Sequence, residues 1–334
     1  MKRIAFFDTK PYDKIWFDEY NKDRYEIVYF EGKLNRHTVG ITAGFDGVCG
    51  FVNDDINKDV INSLVKNNVK ILAMRSAGYS NVDLKAAAGK LPVVRVPAYS
   101  PYAVAEHAMG LLLTVNRKLA RAVTRTRDFN FSIAGLMGVD LHGKTVGVIG
   151  TGTIGRVFID ICRGFGMKII AYDPYPTDGC GIEYVTLKEL FEKSDIISLH
   201  CPLTDSSYHI LNEDAFSLMK KGVFIINTSR GALVDSNALL AALNSEKVRG
   251  AALDVYEEED DLFFEDKSGT IIKDDTLSLL ISNPNVVLTS HQAFLTEEAL
   301  QAIAKVTLDN FDAFFAGKPL ENEVKRIAVD TITQ

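Results

Sequence analysis

An apolar β-rich run, Thr145–Ile149, ends in Gly150-Thr151-Gly152-Thr153-Ile154-Gly155, and an amphipathic helical pattern, Ile154–Phe165, takes over from it. Strand, GxGxxG and helix in that order leave few folds open. The first glycine permits a tight turn, the second lets the backbone approach a pyrophosphate, and the third lets the helix pack closely on the strand. The helix N-terminus then offers free N–H groups and a positive dipole to phosphates. Three glycines alone are a weak signal. Here Asp173 follows, 18 positions after Gly155, at the end of a second β-run, Lys168–Tyr172. A carboxylate there accepts hydrogen bonds from a ribose and repels a 2′-phosphate. No Arg or Lys occurs in Pro174-Tyr175-Pro176-Thr177, which favours NAD over NADP.

The same alternation of short β-runs and longer helical patterns extends over the whole chain, the signature of βαβ units and parallel sheets. In the first hundred residues the expected strands are Arg3–Phe7, Glu26–Phe30, Gly47–Val52, Lys70–Met74 and Val93–Val96, with helices such as Lys58–Asn67 and Val82–Ala88 between them. Five strands with crossovers fit a flavodoxin-like open sheet. Ser100 and Pro101 then form a helix start. A helix from Tyr102 to about Leu119 is expected to bridge two domains and to continue into the basic stretch Arg117–Arg127. The second series has expected strands at Thr145–Ile149, Lys168–Tyr172, Asp195–Leu199, Val223–Asn227, Gly250–Asp254 and Val286–Leu288. A long helix, Thr296–Ala316, stops at Gly317-Lys318-Pro319 and is expected to return the chain to the first domain. The fold class is therefore α/β with two open parallel-sheet domains. The flavodoxin-like domain is expected to take residues 1–100 and 299–334, and a Rossmann dinucleotide-binding domain residues 101–298.

Composition narrows the function. The chain has 334 residues, 37 Lys and Arg against 44 Asp and Glu, for a net charge of −7. That balance offers no electrostatic reason to expect nucleic acid or an anionic membrane as partner. No apolar run approaches the roughly 18 residues that span a bilayer. The four cysteines, Cys49, Cys162, Cys180 and Cys201, have neither disulfide-scaffold density nor metal-ligand spacing, so no metal is expected. The opening segment MKRIAFFDTKPYDK reads as a first strand and not as a signal peptide, and the expected location is the cytoplasm.

Ligands of open α/β sheets bind outside the carboxyl ends of the strands. Five expected strands of the second series are followed there by polar or ionisable residues: Asp173, His200, Arg230, Asp254 and His291. Arg230 and His291 carry the functional expectation. His200 reads as cofactor wall and not as a proton donor, because Pro202 follows closely and fixes the loop. His37, His107, His142 and His209 read as structural. The acidic run Glu257–Asp261 has the composition of a solvated loop, and spacing alone does not single out a catalytic member.

The chain resembles the D-2-hydroxyacid dehydrogenase family, and within it the D-lactate branch. The matching segments run nearly end to end: RSAGYSNVDL, VRVPAYSP, AEHAMGLLL, GKTVGVIGTGTIG, AYDPYP, ISLHCPLT, INTSRGALVD, LDVYEEE, DLFFEDKS and HQAFLT. The resemblance implies a catalytic Arg at Arg230, its acidic partner at Glu259 and an acid/base His at His291. It implies cofactor contacts at Thr153, Ile154, Asp173, Cys201, Pro202, Thr228 and Asp254, beside Gly150, Gly152, Gly155 and His200. Substrate contacts fall on Ala77, Gly78 and Tyr99 in the first domain, which becomes the substrate domain, and on Arg230, His291 and Phe294 in the second. Tyr79 and Ser80 depart from the family pattern and bear on fine specificity.

The implied reaction is reversible reduction of pyruvate to D-lactate with NADH. Arg230 would fork the substrate carboxylate, and the Ala77 and Gly78 N–H groups would hold its other oxygen. His291 would pass a proton to the carbonyl, its charged form favoured by Glu259. A dehydrogenase for bulkier 2-oxo acids such as 2-oxoisocaproate is the nearest alternative, and an NAD-sensing corepressor-like protein a more remote one. The resemblance also implies a homodimer or homotetramer, with Tyr102–Leu119 and the neighbouring loop as the contact.

Overall fold

A computed structural model of the chain describes residues 1–177, 179–259 and 262–324. Asp260 and Asp261 of the acidic run and residues 325–334 of the expected first domain lie outside the described residues. The chain divides into two compact units, Met1–Ser100 with Thr296–Gln334 and Pro101–Leu295, so the second crossing comes at 295/296, three residues before the expected 298/299.

In the first unit five parallel strands, β1 (Lys2–Phe6), β2 (Tyr25–Tyr29), β3 (Gly47–Gly50), β4 (Ile71–Met74) and β5 (Val93–Val94), lie in the order β2-β1-β3-β4-β5. This is the flavodoxin-like order. β3 and β4 are buried at every residue, as strands covered on both faces by crossover helices must be. One face packs on the helix Lys58–Lys66, whose Val60, Ile61 and Leu64 are buried. The long helix Glu297–Phe315 lies over the other face, where Phe311 reaches the backbone of Gly47. A helix at Pro11–Asn21 was not anticipated; it buries only Asp13 and Phe17, too few positions to produce an apolar period.

In the second unit seven parallel strands, β6 (Thr145–Ile149), β7 (Lys168–Tyr172), β8 (Glu183–Tyr184), β9 (Ile196–Leu199), β10 (Val223–Asn227), β11 (Val248–Leu253) and β12 (Val286–Leu288), lie in the order β12-β11-β10-β9-β6-β7-β8. Read from the other edge this is the Rossmann order with a seventh strand added, and it reverses between β6 and β9, where ligands bind. Alternate residues feed two cores. Ile225, Ile197 and Leu253 join one cluster, and Phe224, Ile226 and Ile196 the other. Each fully buried side chain of this size contributes about 1.5–3 kcal/mol. β8 escaped the sequence reading because it is two residues long and not fully buried.

The helix Pro101–Arg117 belongs to the second unit and buries Ala105, Ala108, Leu112 and Val115 against the sheet. It does not run on through the basic stretch as expected. Lys118 adopts φ 53°, which ends it, and a separate helix, Leu119–Arg127, starts there with no buried residue. Among the described residues no helix is long and apolar enough to cross a membrane.

Candidate active site

At the carboxyl end of β6 the glycine loop does three different things. Gly150 has φ +94°, and a Cβ there would lie 2.5 Å from the His200 carbonyl oxygen. A Cβ on Gly155 would lie 2.2 Å from the Gly150 carbonyl oxygen, so the helix Thr153–Gly164 can approach the loop only because both are glycines. Gly152, the N-cap residue, would meet no protein atom within 4 Å and has no side chain to cap the helix. The first-turn amides therefore face open space, where a side chain at Gly152 would compete with an incoming phosphate. Thr153 is exposed and Ile154 partly buried beside them.

Asp173 closes the loop at the end of β7. Its Oδ2 accepts from the Thr151 N–H (2.7 Å) and hydroxyl (2.9 Å), and its Oδ1 from the Tyr175 N–H (2.9 Å). Burial opposes its charge, but these bonds hold its pKa below the ordinary aspartate value. Oδ1, with a single donor, keeps acceptor capacity for a ribose hydroxyl. His200, after β9, is fixed by Ser198 Oγ at 2.9 Å from Nε2 and lies against Phe158 with ring centroids 4.8 Å apart. Burial pushes its pKa down to about 3, so it is neutral and unsuited to donating a proton. The neighbouring Cys201 thiol is pushed up to about 11, and Pro202 is exposed on the same loop. Thr228 is 8% exposed, yet its hydroxyl has no partner among the described residues. An unpaired buried hydroxyl at a strand end is an unmet site for a ligand atom.

Arg230 follows β10 on a turn organised by Asn227, whose Oδ1 accepts from the Ser229 N–H (3.0 Å) and whose Nδ2 donates to the Arg230 carbonyl (2.8 Å). Its guanidinium is exposed, with Nη1 on the Ser229 carbonyl at 2.6 Å. The next residue, Gly231, has room for no side chain, since a Cβ would lie 2.0 Å from the Tyr256 carbonyl oxygen. The Arg230 turn thus touches, backbone to backbone, the loop that carries Glu259.

Glu259 Oε1 lies 2.7 Å from His291 Nδ1, and its Oε2 accepts from the Tyr256 N–H at 2.9 Å. With Nδ1 held by the carboxylate, Nε2 of His291 is left for other chemistry. His291 adopts φ 53°, an unfavourable conformation for a non-glycine residue. Asp254 holds it there. The carbonyl of Asp254 accepts from the His291 N–H (2.7 Å), and its buried carboxylate accepts from Thr289 Oγ1 (2.5 Å), the Gln292 N–H (2.9 Å) and the Ala293 N–H (2.8 Å). His107 Nε2 lies 3.3 Å from Oδ1, the oxygen that Thr289 and Gln292 bind. Burial opposes the Asp254 charge, but its bonds to His107, Thr289, Ala293 and Gln292 keep its pKa below the usual carboxylate range. Phe264 stands beside the imidazole at 5.8 Å between ring centroids and beside Phe294 at 6.5 Å, an apolar wall next to the acid/base candidate.

In the first unit the candidate contacts follow β4. The Ser76 hydroxyl donates to the Gly78 carbonyl (2.7 Å) and Arg95 Nη1 to the Ala77 carbonyl (2.8 Å), while the Ala77 and Gly78 N–H groups have no acceptor among the described residues. Arg75, 2% exposed, anchors the start of this segment on Asp13 and on the carbonyls of Phe7 and Asp8. Tyr99 is half-buried beyond β5.

Residues 109–293 match the family described as D-isomer specific 2-hydroxyacid dehydrogenase, NAD binding domain. The D-lactate dehydrogenase of Escherichia coli K12 is 50% identical over 327 residues, 96% of this chain and 99% of that protein. Its apo structure superposes with a TM-score of 0.89, covering 96% of this chain and 99% of that one. The pyruvate reductase of Chlamydomonas reinhardtii gives a TM-score of 0.92 at 41% identity, covering 96% and 98%. The chain belongs to the D-isomer specific 2-hydroxyacid dehydrogenase family.

As a member of that family the chain is an NAD-dependent oxidoreductase, and the open cradle at Gly152, the unpaired Thr228 hydroxyl and the remaining acceptor capacity of Asp173 all fit that cofactor. The dehydrogenase brings Glu259 and His291 into direct contact. It places the buried Asp254 carboxylate where it serves the His291 loop. Two histidines expected to be structural bind functional loops, His107 on Asp254 and His209 on Glu257. Phe264 is a further residue of the site that the sequence does not announce. No alternation or spacing in DLFFEDKS identifies which of the two phenylalanines faces His291.

Proposed function

We propose that this dehydrogenase reduces pyruvate to D-lactate, reversibly. NAD supplies or accepts the hydride when bound at the glycine loop. Arg230 holds the substrate carboxylate as a planar two-donor fork, a task for which lysine lacks the geometry. The Ala77 and Gly78 amides, without an acceptor among the described residues, are the candidate donors to the carboxylate's other oxygen. His291, charged, gives the Nε2 proton to the carbonyl oxygen, and neutral His291 takes it back in the oxidative direction. Glu259 keeps the Nδ1 proton in place and stabilises the imidazolium. Phe294, beside Phe264, covers the substrate methyl and excludes water, with Tyr99 as the candidate contact from the first unit.

The observation that carries this reading is the 2.7 Å contact between His291 Nδ1 and Glu259, on a loop in backbone contact with the Arg230 turn. Following NADH oxidation with pyruvate, 2-oxoisocaproate, hydroxypyruvate and glyoxylate tests it. Pyruvate should give the highest kcat/KM. A preference for 2-oxoisocaproate would move the assignment to bulkier acids, and inertness towards all four would overturn it.

The proposed state is a homodimer or homotetramer in the cytoplasm. Phe129, Phe131, Ile133 and Met137 are 84%, 73%, 84% and 81% exposed, next to a helix with no buried residue, and exposed apolar side chains so close in sequence support a contact with another copy. Light scattering on the purified protein should give at least two copies, and a monomer at micromolar concentration would refute this. Its cysteines are free, as a reducing compartment allows.

A further inference from the structure

The acidic run alternates. Glu257 and Glu259 are half-buried and each meets a histidine, while Glu258 between them is exposed. The Glu259 pair belongs to the proposed chemistry. The Glu257 pair lies outside it, and its contacts reach both loops on which that chemistry stands.

His209 Nε2 is 2.5 Å from Glu257 Oε1, and the Ser236 hydroxyl donates to Oε2 of the same carboxylate at 3.2 Å. The His209 N–H donates to the Ala232 carbonyl at 2.9 Å, two residues from Arg230. Two residues on, Leu211 donates to the Leu233 carbonyl at 3.1 Å, so the 207–211 segment is laced along the turn. The imidazole is held from its other sides by the Tyr208 ring, stacked at 4.0 Å, and by Asp235, whose Oδ2 lies 3.9 Å from Nδ1. Glu257 itself directly follows Tyr256, whose N–H holds Glu259 and whose carbonyl abuts Gly231. One side-chain contact, His209 to Glu257, therefore joins the Arg230 turn, the cap of the helix Ser236–Asn244 and the loop bearing Glu259.

We propose that His209 and Glu257 brace the Arg230 turn against the Glu259 loop, and so act as positioning residues for the reaction. This rests on the functional reading above, in which Arg230 binds the carboxylate and Glu259 orients His291. Neither brace residue touches a reacting atom. Their effect is to fix the spacing between the group that binds substrate and the group that moves the proton, where about 1 Å of misplacement costs on the order of 100-fold in rate.

The test uses His209→Gln, Glu257→Gln and the double variant in the full chain, measuring kcat and KM for pyruvate reduction and the NADH Kd by fluorescence. Each single variant should lose about tenfold or more in kcat, with the NADH Kd changed by less than about twofold. The double variant should be no worse than the poorer single, because both remove one interaction. Glu257→Asp, which keeps the charge on a shorter stem, should recover part of the loss. Unchanged kcat in both singles, losses that multiply in the double, or NADH affinity falling in step with kcat would overturn the brace. A wild type inert towards every 2-oxo acid would overturn the underlying reading and the brace together, an outcome distinguishable from an active wild type with unaffected variants.

Discussion

Replacing Asp254 with asparagine tests how the His291 loop is held. The wild-type carboxylate is fully buried; its Oδ1 accepts from Thr289 Oγ1 and the Gln292 N–H, with His107 close by, and its Oδ2 accepts from the Ala293 N–H. In Asp254→Asn one oxygen becomes an amide NH2. In the cheaper orientation it faces the Ala293 N–H, leaving at least that buried donor without an acceptor at about 1–3 kcal/mol, and the remaining bonds lose their charge. The sum is about 3 kcal/mol, which for a unit of this size lowers Tm by about 6–12 °C. The effect depends on pH. Because the folded-state pKa of Asp254 lies below the unfolded value, its contribution is complete above about pH 4 and is lost as pH falls through the folded value. The gap between wild type and variant, followed by thermal unfolding across a pH series, should therefore narrow in acid. At neutral pH kcat should fall at least about tenfold while the NADH Kd holds. A variant melting within about 2 °C of wild type but binding NADH weakly would refute the reasoning and make Asp254 a direct cofactor contact.

Other substitutions probe separate parts of the site. Arg230→Lys should raise the pyruvate KM at least about tenfold and slow turnover, in a steady-state assay, because a point charge replaces the fork; an unchanged KM would remove carboxylate binding from Arg230. Gly152→Ala should leave Tm unchanged and weaken NADH binding, because its Cβ meets only open space, whereas Gly155→Ala, 2.2 Å from the Gly150 carbonyl, should lower both stability and affinity. Asp173→Asn should narrow the preference for NADH over NADPH, read as the ratio of kcat/KM values, by removing repulsion of a 2′-phosphate.

Much of this architecture is legible in the sequence because its signals are local. An apolar run, three glycines and an acid in register specify the β6 loop and Asp173, since each residue answers to a neighbour close in the chain. The strand-end rule likewise groups Arg230 and His291, far apart in sequence, because the sheet carries both to one edge. What stayed hidden depends on which way a side chain turns. Glu257, Glu258 and Glu259 are chemically alike, and only the Tyr256 turn decides that the first and third point inward. The resemblance implies a cofactor contact at Asp254, and nothing in the sequence announces that its carboxylate also ties down the 289–293 loop. Lys118 breaks a helix through its own left-handed backbone, although lysine is a good helix former. β8, two residues long, takes its place from pairing with β7 and not from any pattern of its own.

The central claim is that a carboxylate-held imidazole moves the proton. The most direct measurement is the rate of NADH oxidation by pyruvate in a single turnover for His291→Ala, with NADH binding measured on the same protein. A fall of about 100- to 10,000-fold with unaltered NADH affinity is the predicted result. A rate near that of wild type would contradict it.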